Sequence, residues 1–174
     1  MIGKKELHFM CGKAGAGKST LAASLARQHD AVLLREDIWL ARLFPDELAT
    51  FADYIKYSKR IKLVVAPLVV ELLARQSVVL DFPANTRDGR NWFRSIFEQA
   101  NCAHTLHHLD ASNQLCLQRI AKRNVERPEG SHELDEATFN LVTSYFQPPL
   151  PDEGFNVRKY APSANQSDGA DRQP

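Results

Sequence analysis

The sequence contains few cysteines and no long apolar segment. Its three cysteines, Cys11, Cys102 and Cys116, include no CxxC pair, and an odd number argues against a disulfide framework or a thiolate zinc site. A reducing cytoplasm is therefore the expected compartment. The apolar runs at 63–70 and 78–80 are too short to span a bilayer, and the N-terminal residues contain no signal-peptide core. We therefore expect no membrane association.

The sequence also lacks a strong excess of charge of either sign. It has 22 lysines and arginines against 21 acidic residues, so its formal net charge is +1. Proteins that bind nucleic-acid backbone over a large surface are usually far more basic, and disordered acidic activators are far more acidic. Hydrophobic residues make up 44% of the 174 positions and charged residues 25%, as in ordinary globular proteins. These values predict one compact domain.

Apolar runs and helical patterns alternate along the chain. Short apolar runs predict strands at 7–11, 31–34, 77–80, 102–109 and 155–160. Helical patterns predict helices at 18–28, just after 37, and at 51–76, 88–99, 112–127 and 135–146. Pro67 is expected to kink or split the long helix. This order predicts a parallel sheet with helices on both faces, in a domain at 1–160 followed by a disordered tail at 161–174.

The segment between the first strand and the first helix carries the most specific motif. Residues 12–19 read Gly-Lys-Ala-Gly-Ala-Gly-Lys-Ser and fit the pattern G-x-x-x-x-G-K-[ST]. Such glycines let backbone N–H groups curl around a β-phosphate, and the following helix adds its N-terminal dipole. Lys18 is expected to reach the β- and γ-phosphates, and the Ser19 hydroxyl to ligate Mg²⁺. The alternative is a glycine-rich turn with a surface lysine.

Two carboxylates follow predicted strands. Asp81 ends the run at 78–80, where a carboxylate can hold Mg²⁺-bound water, although it could also serve a turn or a cap. Asp37 follows the second strand and would share the phosphate loop's edge of the sheet. There it could accept a proton from an acceptor hydroxyl, or it could cap a helix beginning at Ile38. Its neighbour Glu36 is expected to point elsewhere.

Three arginines recur every four residues on one predicted helix. Arg119, Arg123 and Arg127 therefore share one helix face, and Arg127 begins a loop that resembles a mobile cover. An arginine that closes over a phosphoryl group in transfer stabilises its charge. The alternative is a solvated basic face in which Glu126 pairs with Lys122.

Taken together, these segments resemble the small P-loop kinases of the polynucleotide-kinase and zeta-toxin-like group. Chloramphenicol phosphotransferase and gluconate kinase are related to it, and many members are described only as AAA-domain ATP-binding proteins. The likeness runs over roughly 6–160 and rests on 12–20, 35–37, 78–81 and the arginine helix. The resemblance implies an α/β, three-layer P-loop NTPase fold, adenylate-kinase-like, with a five-stranded parallel sheet.

The resemblance also implies an ATP- and Mg²⁺-dependent phosphotransferase that acts on a hydroxyl of a small molecule. The implied catalytic residues are Lys18, Asp37, Arg123 and Arg127, and the implied metal ligands are Ser19 and Asp81. The nucleotide-binding residues would be Gly12, Lys13, Ala14, Gly15, Ala16, Gly17, Lys18, Ser19, Thr20 and Arg119.

Two other functions stay open at this point. A nucleotide-switched binding module or simple ATPase would keep the phosphate loop without needing Asp37. A nucleic-acid 5′-hydroxyl kinase is the third possibility. Against it stand the near-neutral charge and Glu36, since the polynucleotide kinases often place Ser or Arg directly before the aspartate. The sequence leaves the acceptor and the oligomeric state open, and ATP rather than GTP is inferred from the family likeness.

Overall fold

The fold is known from a computed structural model, which describes residues 5–161. The strands are β1 (Glu6–Cys11), β2 (Val32–Arg35), β3 (Val78–Pro83), β4 (Ala103–Leu109) and β5 (Val157–Tyr160). The helices are α1 (Lys18–Gln28), α2 (Glu36–Leu43), α3 (Phe51–Leu73), α4 (Arg87–Gln99), α5 (Asn113–Glu126) and α6 (Glu136–Ser144), and a 3-10 turn spans Pro151–Glu153. The five strands form one sheet in the order β2-β3-β1-β4-β5, and every pair is parallel. The predicted α/β fold class is confirmed.

Both faces of the sheet are covered. On one face, Phe9 of β1 and Leu80 of β3 pack into a core with Val65 of α3 and Phe93 of α4. On the opposite face, Met10, the next residue of β1, packs with α1. Because side chains alternate along a strand, a sheet buried on both sides requires nearly continuous apolar runs. This explains why the strands were visible as short apolar segments in the sequence.

The strand register brings the candidate site residues to one edge of the sheet. Arg35, the last residue of β2, pairs with Asp81 of β3, and Met10 of β1 pairs with Pro83 of β3. The carboxyl ends of β1, β2 and β3 therefore lie side by side. The phosphate loop follows β1 and Asp37 follows β2, so both emerge at this edge, where open α/β sheets bind their ligands.

The predicted split of the long helix is not found, because α3 continues through Pro67. Pro67 is exposed, and Leu63, four residues earlier, is 77% exposed, so water can satisfy the carbonyl that proline leaves without an N–H partner.

The predicted tail at 161–174 lies outside the described residues, apart from Ala161. Among the described helices, none combines the length and apolar character that crossing a membrane requires.

Candidate active site

The loop between β1 and α1 has a conformation that depends on glycine. Gly15 and Gly17 have φ angles of 75° and 101°, a region that side chains disfavour. A Cβ added to Gly15 would lie 2.5 Å from the carbonyl oxygen of Cys116 on α5. Gly17 is the N-cap of α1, and no side chain caps it. The first-turn amides of α1 are therefore available to an anion.

Lys18 occupies the curve of this loop. Its Nζ donates to the carbonyl oxygens of Gly12 and Lys13 at 2.7 and 2.9 Å. Burial lowers the pKa of Lys18, whereas the nearby charges of Asp81 and Asp37 raise it. A lysine held by neutral carbonyl oxygens can form stronger, charge-assisted bonds with a phosphate. The loop therefore has the geometry expected of a polyphosphate site.

Ser19 and Asp81 meet at the same edge. The Ser19 hydroxyl lies close enough to the Asp81 carboxylate to lower the pKa of Asp81. Burial raises the pKa of Asp81, and the Ser19 hydroxyl and the charges of Lys18 and Arg35 partly offset this rise. Hydroxyl and carboxylate oxygens are the hard ligands that Mg²⁺ prefers. The pair therefore fits the predicted magnesium role.

Glu36 and Asp37 are the first two residues of α2, and their carboxylates lie in opposite environments. Glu36 is fully buried and accepts hydrogen bonds from Tyr54 Oη at 2.6 Å and Ser58 Oγ at 2.5 Å. Asp37 is exposed to the cleft. Glu36 therefore ties α2 to α3, as a residue pointing away from the cleft, while Asp37 faces it. Because α2 begins at Glu36 with Arg35 at its N-cap, Asp37 is not the capping residue.

The surroundings of Asp37 suit it to proton transfer. Desolvation by the neighbouring protein, followed by the charges of Glu36 and Asp81, raises the pKa of Asp37 to about 6. Lys18 and Arg123 act in the opposite direction. A carboxylate of this basicity can take up and release a proton near neutral pH.

Two of the three helix arginines reach the cleft. Arg119 Nη1 donates to the carbonyl oxygen of Ala16 in the phosphate loop at 3.0 Å. Arg123 lines the same cleft, and its Nε is buried with no hydrogen-bond partner among residues 5–161. A buried donor without a partner is costly, so Arg123 is placed to receive an anionic ligand.

Arg127 does not share this position. It ends α5 in a left-handed conformation with φ of 45°, is exposed, and lies 3.5 Å from Glu133. It is not among the cleft-lining residues. The Arg127 side chain pairs with Glu133 and does not line the cleft that Arg119 and Arg123 share, so its catalytic role gains no support here.

The loop after Arg127 does cover part of the cleft. Gly130, Ser131 and His132 line it. A Cβ added to Gly130, whose φ is 78°, would lie 3.1 Å from the Asp37 carbonyl carbon. The backbone of this loop therefore packs directly on the start of α2, where the candidate base lies.

Other contacts differ from what the motif alone suggests. The Lys13 side chain turns toward α5, where its Nζ donates to Asn113 Oδ1 at 2.7 Å. Asn85 was missed in the sequence, although its Oδ1 accepts the Gly12 N–H at 2.9 Å and it lines the cleft. Its position four residues after Asp81 was the available signal. Arg90, which is 1% exposed, lies at helical spacing from the buried Phe93 and Phe97 of α4, and this spacing was the available signal for its burial.

The family of the chain follows from its sequence. Residues 7–149, which include the phosphate loop and every site residue described above, match the family described as an AAA domain. The chain belongs to this AAA-domain family. No curated protein sequence matches it significantly.

Solved structures share the fold of this AAA-domain protein at low sequence identity. The APS kinase CysC of Mycobacterium tuberculosis, in complex with AMPPNP and APS, is 19% identical, with a TM-score of 0.61 over 91% of this chain and 89% of that one. A gluconokinase from Sinorhizobium meliloti 1021 is 15% identical, with a TM-score of 0.61 over 92% and 85%. Kti12 of Chaetomium thermophilum, in complex with ADP-AlF3, is 15% identical, with a TM-score of 0.65 over 89% and 88%. The expected P-loop kinase fold is confirmed.

Proposed function

We propose that this AAA-domain protein is an ATP- and Mg²⁺-dependent phosphotransferase that moves the γ-phosphate to a hydroxyl group of a small molecule. One observation carries this proposal: Asp37, with its pKa raised to about 6, faces the same cleft as the phosphate loop. A nucleotide switch has no need of a second carboxylate tuned for proton transfer, whereas an ATPase would use it on water, an alternative that dependence on an acceptor separates below. A kinase needs one close to the acceptor hydroxyl.

The chemistry assigns one role to each side chain. Lys18 and the loop amides hold the β- and γ-phosphates, and Asp37 takes the proton from the acceptor hydroxyl. The acceptor oxygen forms a bond to the γ-phosphorus, and the bond from that phosphorus to the bridging oxygen breaks, so ADP leaves with the electron pair. Arg123, whose Nε has no partner among the described residues, stabilises the charge on the transferred group.

Ser19 and Asp81 would hold Mg²⁺, which when bound supplies positive charge against the phosphate oxygens. The two oxygen ligands lie close together, and Lys18 is near enough to lower the pKa of Asp81. A full protein cage is not needed, because Mg²⁺ in such sites is usually held by one or two protein oxygens with substrate phosphates and water.

The size and lining of the cleft support a small acceptor beside the nucleotide. The cleft has a volume of about 2630 Å³, well above the 300–1,000 Å³ that is usual for one small ligand. Beyond Asp37 it is lined by Tyr54, Trp92 and Tyr145. Small-molecule acceptors are named for two of the structures that share this fold. The near-neutral charge agrees with an acceptor other than nucleic acid.

The test is ADP release from ATP and Mg²⁺ with a library of small alcohols, for the wild type and for Asp37→Asn. We expect release that depends on an acceptor, and a loss of about 10² to 10⁴-fold in Asp37→Asn with ATP binding retained. Asp46→Asn, an exposed aspartate outside the cleft, is the control and should transfer normally.

Each alternative has its own outcome. Transfer by Asp37→Asn at the wild-type rate would remove Asp37 as the base. ADP release that no acceptor changes would favour an ATPase or switch. Labelling of oligonucleotide 5′ ends would favour the nucleic-acid kinase.

A further inference from the structure

The hydrogen bond from Gly12 determines the orientation of the Asn85 side-chain amide. Its Oδ1 accepts the backbone N–H of Gly12 at 2.9 Å. Because a backbone N–H can only donate, the amide oxygen must face Gly12, and the amide nitrogen must point away from it. Asn85 lines the cleft, and within residues 5–161 this nitrogen has no hydrogen-bond partner. Two N–H donors are therefore available beside the phosphate loop.

The backbone that carries Asn85 is fixed on three sides. Before it, the Ala84 N–H donates to the Met10 carbonyl of β1 at 2.8 Å. At Asn85 itself, the carbonyl accepts the Gln147 N–H at 2.8 Å. After it, the Thr86 hydroxyl caps α4 by accepting the Gly89 N–H at 3.0 Å. The amide is thus held in place before any ligand arrives, which lowers the entropic cost of a contact.

The buried ion pair between Arg90 and Glu153 holds the same segment in place. The Arg90 guanidinium donates from Nη1 to the carbonyl oxygens of Ala84 at 3.0 Å and Gln147 at 2.8 Å. It also forms two bonds of 2.7 Å with the Glu153 carboxylate. The two side chains are only 1% and 4% exposed. Bidentate pairing of this kind is geometrically specific, so it holds residues 84–86 against the turn at Pro151–Glu153.

Asn85 lies next to the groups that bind the terminal phosphates. The same Gly12 that donates to Asn85 accepts from Lys18 Nζ through its carbonyl at 2.7 Å. Asp81, four residues earlier, lines the same cleft together with Ser19. We infer that Asn85 is a specificity-determining residue whose amide donates to the γ-phosphate, so that it distinguishes ATP from ADP and ties that phosphate to Gly12. This inference rests on the proposed function of the cleft.

Two variants remove the amide donors of Asn85. Asn85→Asp keeps an oxygen for the Gly12 N–H but adds a negative charge that by itself repels a γ-phosphate, so Asn85→Leu, which adds no charge, must show the same loss. We expect the affinity for AMPPNP with Mg²⁺ to fall about tenfold or more relative to the affinity for ADP with Mg²⁺, both measured by titration calorimetry, because a hydrogen bond to a charged group is lost. Asn91→Asp, the same change at an exposed site on α4 outside the cleft, should alter neither affinity by more than about twofold.

The results separate this inference from a purely structural role and from the proposed function. Retained ADP binding shows that Asn85→Asp is folded. If both affinities fall equally, or if the AMPPNP to ADP ratio changes by less than about threefold, the γ-phosphate contact is wrong and Asn85 only supports the loop. The measurement needs no acceptor, so it can succeed even where no acceptor is phosphorylated. Absence of binding by the wild type would contradict both.

Discussion

Glu36 and Asp37 are adjacent in the chain, yet their carboxylates have different functions. Glu36 is 0% exposed and is held by two hydroxyl groups of α3, so it positions α2. Its charge is the second largest cause, after desolvation, of the raised pKa of Asp37. The residue that fixes the helix therefore also adjusts the basicity of the candidate base.

A pH profile tests this relation. Asp37 must be deprotonated to accept the acceptor proton, so we expect kcat/KM to fall tenfold per pH unit below about 6, the pKa of Asp37 in the free protein. Glu36→Gln removes the neighbouring negative charge, which lowers the pKa of Asp37 and should move this acid limb to lower pH.

Glu47→Gln, an exposed glutamate outside the cleft, is the matched control and should leave the profile in place. An acid limb at the same pH in Glu36→Gln would mean that another group, or another environment of Asp37, controls the rate.

At the scale of elements, local patterns predicted most of the fold. The helix predicted at 18–28 has those bounds as α1, because its start is fixed by the phosphate loop and its apolar spacing is regular. The bounds of the remaining predicted strands and helices all agree within three residues, and the short helix expected just after 37 spans Glu36–Leu43. These local signals need no tertiary information.

The parts that were not predicted depend on contacts far apart in the chain. The helical spacing of α4 places Arg90 on the buried face, but the carboxylate that pairs with its charge there belongs to Glu153, 63 residues later. Asn85 becomes a site residue because β1 and β3 are neighbours in the sheet. Arg127 leaves the shared face because it ends α5 in a left-handed conformation, which a helical spacing rule does not contain.

Pro67 lies inside α3, and its replacement by alanine should make the protein more stable. Proline lacks the N–H that would bond to the Leu63 carbonyl, and it is exposed, so replacing it loses no core packing. We expect Pro67→Ala to raise the free energy of unfolding by about 1 to 2 kcal/mol, after allowance for the greater freedom of the unfolded chain. The urea midpoint measures this change.

The control for α3 is Val64→Ala, at a site that is 66% exposed. It should raise stability by less than about 0.7 kcal/mol, the difference in helix propensity. A Pro67→Ala protein no more stable than the wild type would show that the packing of α3 requires the shape that proline imposes.

At the scale of the whole molecule, a buried histidine in the sheet makes the free energy of unfolding depend on pH. His107 of β4 is 1% exposed. Its Nε2 lies 3.1 Å from His8 Nδ1, and its Nδ1 lies 2.9 Å from the hydroxyl of Tyr160. Burial, then the charges of His8 and Arg158, lowers the pKa of His107 from 6.5 to about 3. The folded protein therefore keeps this ring neutral where the unfolded chain would protonate it.

The sign of the effect on stability follows directly. Between pH 6.5 and about 3 the unfolded state binds the His107 proton and the folded state does not, so stability falls as the pH falls. From pH 7 to pH 5 this amounts to about 2 kcal/mol. Asp37 acts in the opposite direction below its raised pKa, because there the folded state holds the extra proton.

Comparison of variants isolates the contribution of His107. His107→Gln should lose stability by about 2 kcal/mol less than the wild type between pH 7 and pH 5, as measured by urea unfolding at both values. His132→Gln, at an exposed position, should follow the wild type. Equal losses in His107→Gln and the wild type would contradict the buried neutral state of His107.

The central claim is that residues 12–19 bind the phosphates of a nucleoside triphosphate. Titration calorimetry of folded protein with ATP and Mg²⁺ tests it most directly, using Lys18→Ala and the control Lys56→Ala, whose side chain is exposed and outside the cleft. The account predicts one binding event for the wild type and for Lys56→Ala, and an affinity about tenfold lower or worse for Lys18→Ala. No heat from ATP, GTP or their diphosphates with folded protein would contradict it.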